Sequence, residues 1–233
     1  MNHEQEALEV INKLGGWFRR EDDDVPGSPI VYVIFPGPGL TDENMVELSA
    51  LQALPDLKTL SLVGNAVTNA ALPVLREFLP TLKELDLEST AVTDEGLAVL
   101  GEFKNLRDIN FDRTRLTGTG LRQLCGCERL ESLGLRDTLL ADAGLEELSE
   151  IQSLTKLALN GTRITDNGLS HLTKLVNLRE LLLNKTAITD ASLPILRELK
   201  GLQVLYLDGC KITERGVAEL RATLPTCNIS KCY

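Results

Sequence analysis

The sequence predicts an α/β fold: a right-handed solenoid with a parallel β-sheet on its concave face and helices on its convex face. Three observations carry that expectation. A short segment returns at a nearly fixed spacing, each copy opens on an L-x-x-L-x-L run, and each closes on leucines at steps of three. The segment TRITDNGL at Thr162 returns as TAITDASL at Thr186 and CKITERGV at Cys210. Earlier copies are TLLADAGL at Thr138, TRLTGTGL at Thr114, TAVTDEGL at Thr90 and NAVTNAAL at Asn65, with a degenerate first copy, PGLTDENM, at Pro38. The spacing is 27 residues for the first step, 25 for the second and 24 for the remaining five. Eight units therefore fill residues 30–220, and such a period marks a stacked array of one supersecondary unit.

Within a unit, the last two leucines of the opening run, such as Leu85 and Leu87 or Leu133 and Leu135, lie two apart. They project from one face of a short strand. A small polar residue follows (Asn65, Thr90, Thr114, Thr138, Thr162, Thr186, Cys210), placed to satisfy backbone groups where the chain leaves the strand. Next come a buried apolar residue and a Thr-Asp pair or a variant of it. Thr and Asp suit the start of a helix, where a side-chain oxygen can accept an orphan N–H and a negative charge meets the positive end. The helix is short, with an apolar line such as Leu169, Leu172 and Leu175. No unit of this size buries its own leucines; stacked units share one continuous core.

These motifs resemble those of leucine-rich repeat proteins, over most of the chain. The ITDxGLxxL segment is most similar to the cysteine-containing subfamily and to bacterial repeat proteins of the GALA type. Cys127 and Cys210 fall where that subfamily carries cysteine; elsewhere this chain has Thr, Leu, Ile or Phe, and its repeat is shorter. The resemblance implies a protein-interaction module, of bacterial type. Its GALA side implies a second role, the substrate-recognition subunit of a ubiquitin-ligase-like or effector complex. The F-box of such proteins needs a longer helical region than the one preceding Gly15, which weighs against that role.

The flanks read as caps. In residues 1–29, Ala7, Leu8, Ile11 and Leu14 mark a helix ending at Gly15-Gly16. Trp17 to Arg20 then form a strand that hairpins, through a turn holding Pro26 and Gly27, into the first solenoid strand at Ile30–Phe35. The acidic run Glu21 to Asp24 lies in that turn, where such runs are solvated. In residues 221–233, LRATLPTCNIS from Leu220 aligns with LREFLPTLKEL from Leu75, so Cys227 takes the place of Leu82 and one last strand should shield the edge.

A net charge of −10 weighs against nucleic acid as partner. The sequence holds no apolar run long enough for a membrane span and opens on Asn-His-Glu-Gln-Glu, unlike a signal peptide. Five cysteines, three of them inside repeat units (Cys125, Cys127, Cys210), suit reduced thiols and a cytoplasmic location; Cys227 and Cys232 are close enough to pair in an oxidising compartment. Neither a phosphate loop, a CxxC pair nor a nucleophile elbow is found, and His3 and His171 lack catalytic company. No enzyme activity, cofactor or metal is expected. The sequons at Asn160 and Asn184 fall on the repeat's own register.

Function is then expected on the residues between the inward leucines, which face the concave side. Glu84, Asp86, Glu88, Asp108 and Asp112 crowd two adjacent strands. Leu182, Val204 and Tyr206 place apolar groups towards the C-terminal end, with Arg136 and Lys156 between. This pattern points to a protein partner with a basic segment, steered by the carboxylates and anchored by Tyr206.

Overall fold

The structure, a computed structural model, describes residues 3–78 and 81–231. Among them, ten strands form one sheet in chain order. They are β1 (Trp17–Arg20), β2 (Ile30–Ile34), β3 (Thr59–Ser61), β4 (Glu84–Asp86), β5 (Asp108–Asn110), β6 (Ser132–Gly134), β7 (Lys156–Ala158), β8 (Glu180–Leu182), β9 (Val204–Tyr206) and β10 (Asn228–Ser230). The strands β2 to β10 run parallel, and β1 folds back antiparallel on β2. The register is unbroken from β2 onward: Val33, Leu60, Leu85, Ile109, Leu133, Leu157, Leu181, Leu205 and Ile229 stand opposite one another. All are buried, and this line is the spine of the core. The fold is a leucine-rich repeat solenoid.

The connections differ from the expected helices. Only α1 (His3–Lys13), α2 (Leu97–Leu100), α3 (Asp142–Leu148), α4 (Leu193–Leu196) and α5 (Glu214–Thr223) are α-helical among the described residues. Residues Met45–Ala53, Asn69–Phe78, Leu121–Gly126 and Gly168–Lys174 wind as 3-10 segments. Leucines at steps of three, such as Leu169, Leu172 and Leu175, eclipse in a helix with three residues per turn, so one apolar line is buried by the tighter winding. The final helix runs to Thr223, beyond the expected end of the repeats at 220.

The Thr-Asp pair joins units as well as capping helices. Asp42 accepts the N–H (2.8 Å) and hydroxyl (2.6 Å) of Thr68, one unit on. The same rung recurs from Asp142 to Thr165, Asp166 to Thr189 and Asp190 to Thr213, and Asp94 holds Thr117. Asn69 replaces the carboxylate against Thr93. The threonines Thr189 and Thr213 also accept N–H groups from the turns they open, as expected of caps. The aspartates instead spend both oxygens on the neighbouring unit. At Gly168 and Gly216 a Cβ would lie 2.5 Å from the rung oxygen of Asp142 and Asp190, so glycine there makes room for the ladder.

One rung is missing on both sides. Gly118 stands where the aspartate would be and Ala141 where the threonine would be. Gly118 has φ +98°, and a Cβ on it would lie 2.7 Å from the Gly144 Cα. The second polar column behaves as expected. The hydroxyls of Thr90, Thr114, Thr138, Thr162 and Thr186 each donate to the carbonyl three residues earlier, at 2.7–2.8 Å.

One further strand is added at each end of the repeat sheet. Gly15, at φ +72°, lets the Gly16 N–H reach the Ile11 carbonyl (2.8 Å) and stop α1. Ala7 and Ile11 of that helix are buried against the first unit, and β1 pairs with the edge of β2. The acidic turn is held by its own backbone and by Lys58, which pairs with Glu21 at 2.8 Å. At the other end β10 pairs with β9. Cys232, and with it the alternative of a Cys227–Cys232 pair in an oxidising compartment, lies outside the described residues, as does the Leu79-Pro80 part of the aligned segment.

Candidate functional site

The register sets two rows of side chains on the concave face. One runs Arg19, Tyr32, Thr59, Glu84, Asp108, Ser132, Lys156, Glu180, Val204, Asn228; the other runs Trp17, Ile34, Ser61, Asp86, Asn110, Gly134, Ala158, Leu182, Tyr206, Ser230. A third row, just past the strands, carries Glu88, Asp112 and Arg136. Strand neighbours stand about 4.8 Å apart, so Glu84 and Asp108 are directly side by side.

The five expected carboxylates are together, but they are not equivalent. Glu88 pairs with Arg113 at 2.8 Å and takes a hydrogen bond from the Asn110 amide at 3.3 Å. Asp112 is buried, accepts the Arg136 backbone N–H at 2.7 Å and faces the Arg136 Nε at 3.6 Å. That contact is too long for a hydrogen bond, and the Nε finds no other partner among the described residues. Burial therefore prevails and pushes the Asp112 carboxyl up, against the Arg136 N–H and charge.

Glu84, Asp86 and Asp108 remain without a cation in ion-pair contact among the described residues. Hydroxyls orient the first two: Thr59 donates to Glu84 and Ser61 to Asp86, each at 3.0 Å. Burial raises the Asp108 carboxyl above the ordinary range; the Ser132 hydroxyl lowers it, while Glu84 raises it further. Lys156, two strands along the row from Asp108, also lowers that carboxyl; the lysine is exposed and stands 3.7 Å from Glu180 on its other side. The expected clash of five charges is thus a trio beside two compensated pairs.

The apolar end is smaller than expected. Leu182 is 8 % exposed and offers little surface, whereas Val204 and Tyr206 are half-buried and accessible. The more exposed aromatic group lies at the opposite end. Trp17 is 52 % exposed and its ring centroid is 5.7 Å from that of Tyr32. The Arg19 guanidinium rests 5.3 Å from the Tyr32 ring. Burial, then Asp86, raises the Tyr32 hydroxyl, so the ring stands within the field of the carboxylates. Extending the two-residue alternation into the flanking strands, Trp17/Arg19 and Tyr32/Ile34, would have revealed this cluster.

A hollow of about 360 Å³ lies along the row Glu84, Asp108, Ser132, Lys156 and Glu180, and two more open beside it. One of about 290 Å³ lies between Tyr32, Thr59, Ser61 and the three carboxylates. The other, about 190 Å³, opens over Gly134, between Asp108, Asp112, Arg136 and Lys156. Among the described residues no group of three His, Cys, Asp or Glu side chains could hold a metal ion. No helix among them is long and apolar enough to cross a membrane. The sequon residues are structural: Asn160 accepts the Asn184 N–H at 2.8 Å and Asn184 accepts the Asp208 N–H at 2.7 Å.

Residues 78–101 and 150–173 match the family described as Leucine Rich repeat. No curated protein sequence matches the chain. Among solved structures, it is similar to internalin C2 from Listeria monocytogenes strain 4b F2365, with a TM-score of 0.64 and 17 % identity. The alignment covers 97 % of this chain and 92 % of the internalin chain, a likeness of fold. Neither comparison carries the cysteine-containing or GALA-type likeness.

Proposed function

We propose that this protein is a non-enzymatic interaction module that holds a protein partner on its concave sheet, and that the partner lays a basic segment there. The observation that carries this reading is the trio Glu84, Asp86 and Asp108. At several places elsewhere on the surface, charges on neighbouring units pair, as in Arg76–Glu102, Arg107–Glu131, Arg122–Glu147 and Lys174–Glu150. On these two strands they do not, and adjacent like charges cost stability. A basic partner would gain a steered approach and form the missing pairs. The same acidic face disfavours nucleic acid and anionic membrane surfaces. Val204 and Tyr206 would extend the contact along the sheet. A cytoplasmic setting fits the unpaired Cys125, Cys127 and Cys210.

Site-specific photo-crosslinking tests the proposal. A crosslinking residue placed at Asn110, Ser132 or Tyr206 should capture one common protein in cells, and one at Ala143 or Arg215, on the convex side, should not. Capture from convex positions alone would contradict it.

A further inference from the structure

We infer that the N-terminal end of the concave face is the anchor of the interface, and that its occupant is an arginine side chain on an extended segment of the partner. The inference rests on the concave-face reading above and adds to it a place and a residue type. Four features converge there. The hollow of about 290 Å³ has an aromatic wall, Tyr32, and an acidic wall, Glu84, Asp86 and Asp108. Thr59 and Ser61 at its base hold Glu84 and Asp86 through hydroxyl hydrogen bonds, so two carboxylates are oriented before any ligand arrives. Trp17 flanks Tyr32, still half-exposed. The chain itself supplies the precedent, because the Arg19 guanidinium already lies over the Tyr32 ring.

Those walls favour arginine over lysine. A guanidinium is flat, stacks on aromatic faces and donates in a fork that matches a carboxylate; an ammonium is a compact, strongly hydrated charge that does neither as well. The guanidinium would lie between Tyr32 and the carboxylates, over β3, while Trp17 on β1 meets the stretch of the segment that enters beside it. Tyr32 and Asp108 are three strands apart, about 14 Å at 4.8 Å per strand, so roughly four residues of extended chain would cross the site. The aromatic and acidic parts act together here, unlike at the C-terminal end, where Tyr206 has Leu182 and Val204 beside it.

The chain's only tryptophan is Trp17, so its fluorescence reports on this site in the intact protein. The probes are three peptides, acetyl-Gly-(Xaa-Gly)3-amide with arginine, lysine or citrulline at Xaa. The arginine peptide should give a saturable change in Trp17 emission that weakens with added salt. The citrulline peptide, neutral but isosteric, should bind at least about tenfold more weakly, and lysine should fall between. Combining Glu84→Gln with Asp108→Asn should weaken the arginine peptide by about tenfold or more, while Glu198→Gln on the convex side changes nothing. Chemical-shift perturbation by the same peptide in Trp17→Ala keeps the test independent of fluorescence; residual shifts should centre on Glu84 and Asp108. An absent response at millimolar arginine peptide, or equal responses to arginine and citrulline, overturns the inference. If photo-crosslinks to the partner arise at Tyr206 but not at Tyr32, the anchor falls and the concave face stands; if they arise only on the convex side, both fall.

Discussion

Across the boundary between two repeats, the Asp142 carboxylate accepts both the N–H (2.7 Å) and the hydroxyl (2.6 Å) of Thr165. The bond joins residues 23 positions apart, in the polar rim where the convex segments begin. Its recurrence means that the solenoid is held by a ladder of charge-assisted hydrogen bonds as well as by leucine. Replacing Asp142 by Ala should cost about 1–3 kcal/mol, and the cycle with Thr165→Ala should show coupling of about 1 kcal/mol or more. Urea denaturation of the four proteins measures it. The boundary between Gly118 and Ala141 should resist repair: Gly118→Asp with Ala141→Thr should be destabilising, because the left-handed backbone and the nearby Gly144 leave no room for a side chain.

The leucine spine gives the second expectation. Leu133 and Leu157 are buried and stand opposite each other in the sheet. Each truncation to Ala should cost about 2–5 kcal/mol. Glu131→Ala and Thr155→Ala, two positions earlier in the same units, should cost well under half as much, since both side chains are at the surface. Equal losses in denaturation would contradict the register.

Thiol chemistry gives the third. Cys125, Cys127 and Cys210 are unbridged among the described residues. Burial pushes the Cys127 thiol up to about 12, and it raises Cys125 as well. Little thiolate exists at neutral pH, so Cys127 should react with iodoacetamide only when the protein unfolds. Reductant should leave Tm unchanged, and mass spectrometry without reduction should find no bridge from Cys125, Cys127 or Cys210.

Asp108 links stability to the proposed site. Its carboxyl is raised by burial and by Glu84, so the folded state binds its proton more tightly than the unfolded chain does. Its favourable contribution is present below the unfolded carboxylate range and is lost as pH rises through the folded value. Asp108→Asn should therefore stabilise the protein at pH 7, and the advantage should shrink as pH falls into the carboxylate range. Denaturation midpoints of both proteins from pH 7 to pH 4 check this. A residue that lowers stability where it stands is one that folding alone does not explain.

Much of this architecture was legible from periodicity. Steps of two and three residues locate the strands, the leucine spine and the small polar column, because each depends on local geometry repeated in register. The 3-10 winding was not legible, since the spacing of Leu169, Leu172 and Leu175 suits a short α-helix almost as well. The reach of Asp142 to Thr165 escaped for a different reason: a local pattern shows what can cap a helix and not which neighbour the carboxylate prefers. Within the site, adjacency of Glu84 and Asp108 follows from register alone. The neutralisation of Glu88 by Arg113, the burial of Asp112 and the covering of Leu182 depend on side-chain packing between units. Trp17 lies in the flanking strand and Tyr32 in the degenerate first unit, so columns read from the second unit onward pass them by.

The central claim is that a basic partner is steered onto the concave face, and association kinetics test it most directly. Stopped-flow rates for the photo-captured partner would be measured across a salt series, with the wild-type protein and with Asp86→Lys plus Asp108→Lys. The wild-type rate should fall steeply with ionic strength. The variant should associate at least about tenfold more slowly at low salt, with a flattened dependence. Superimposable curves for the two proteins would contradict the account.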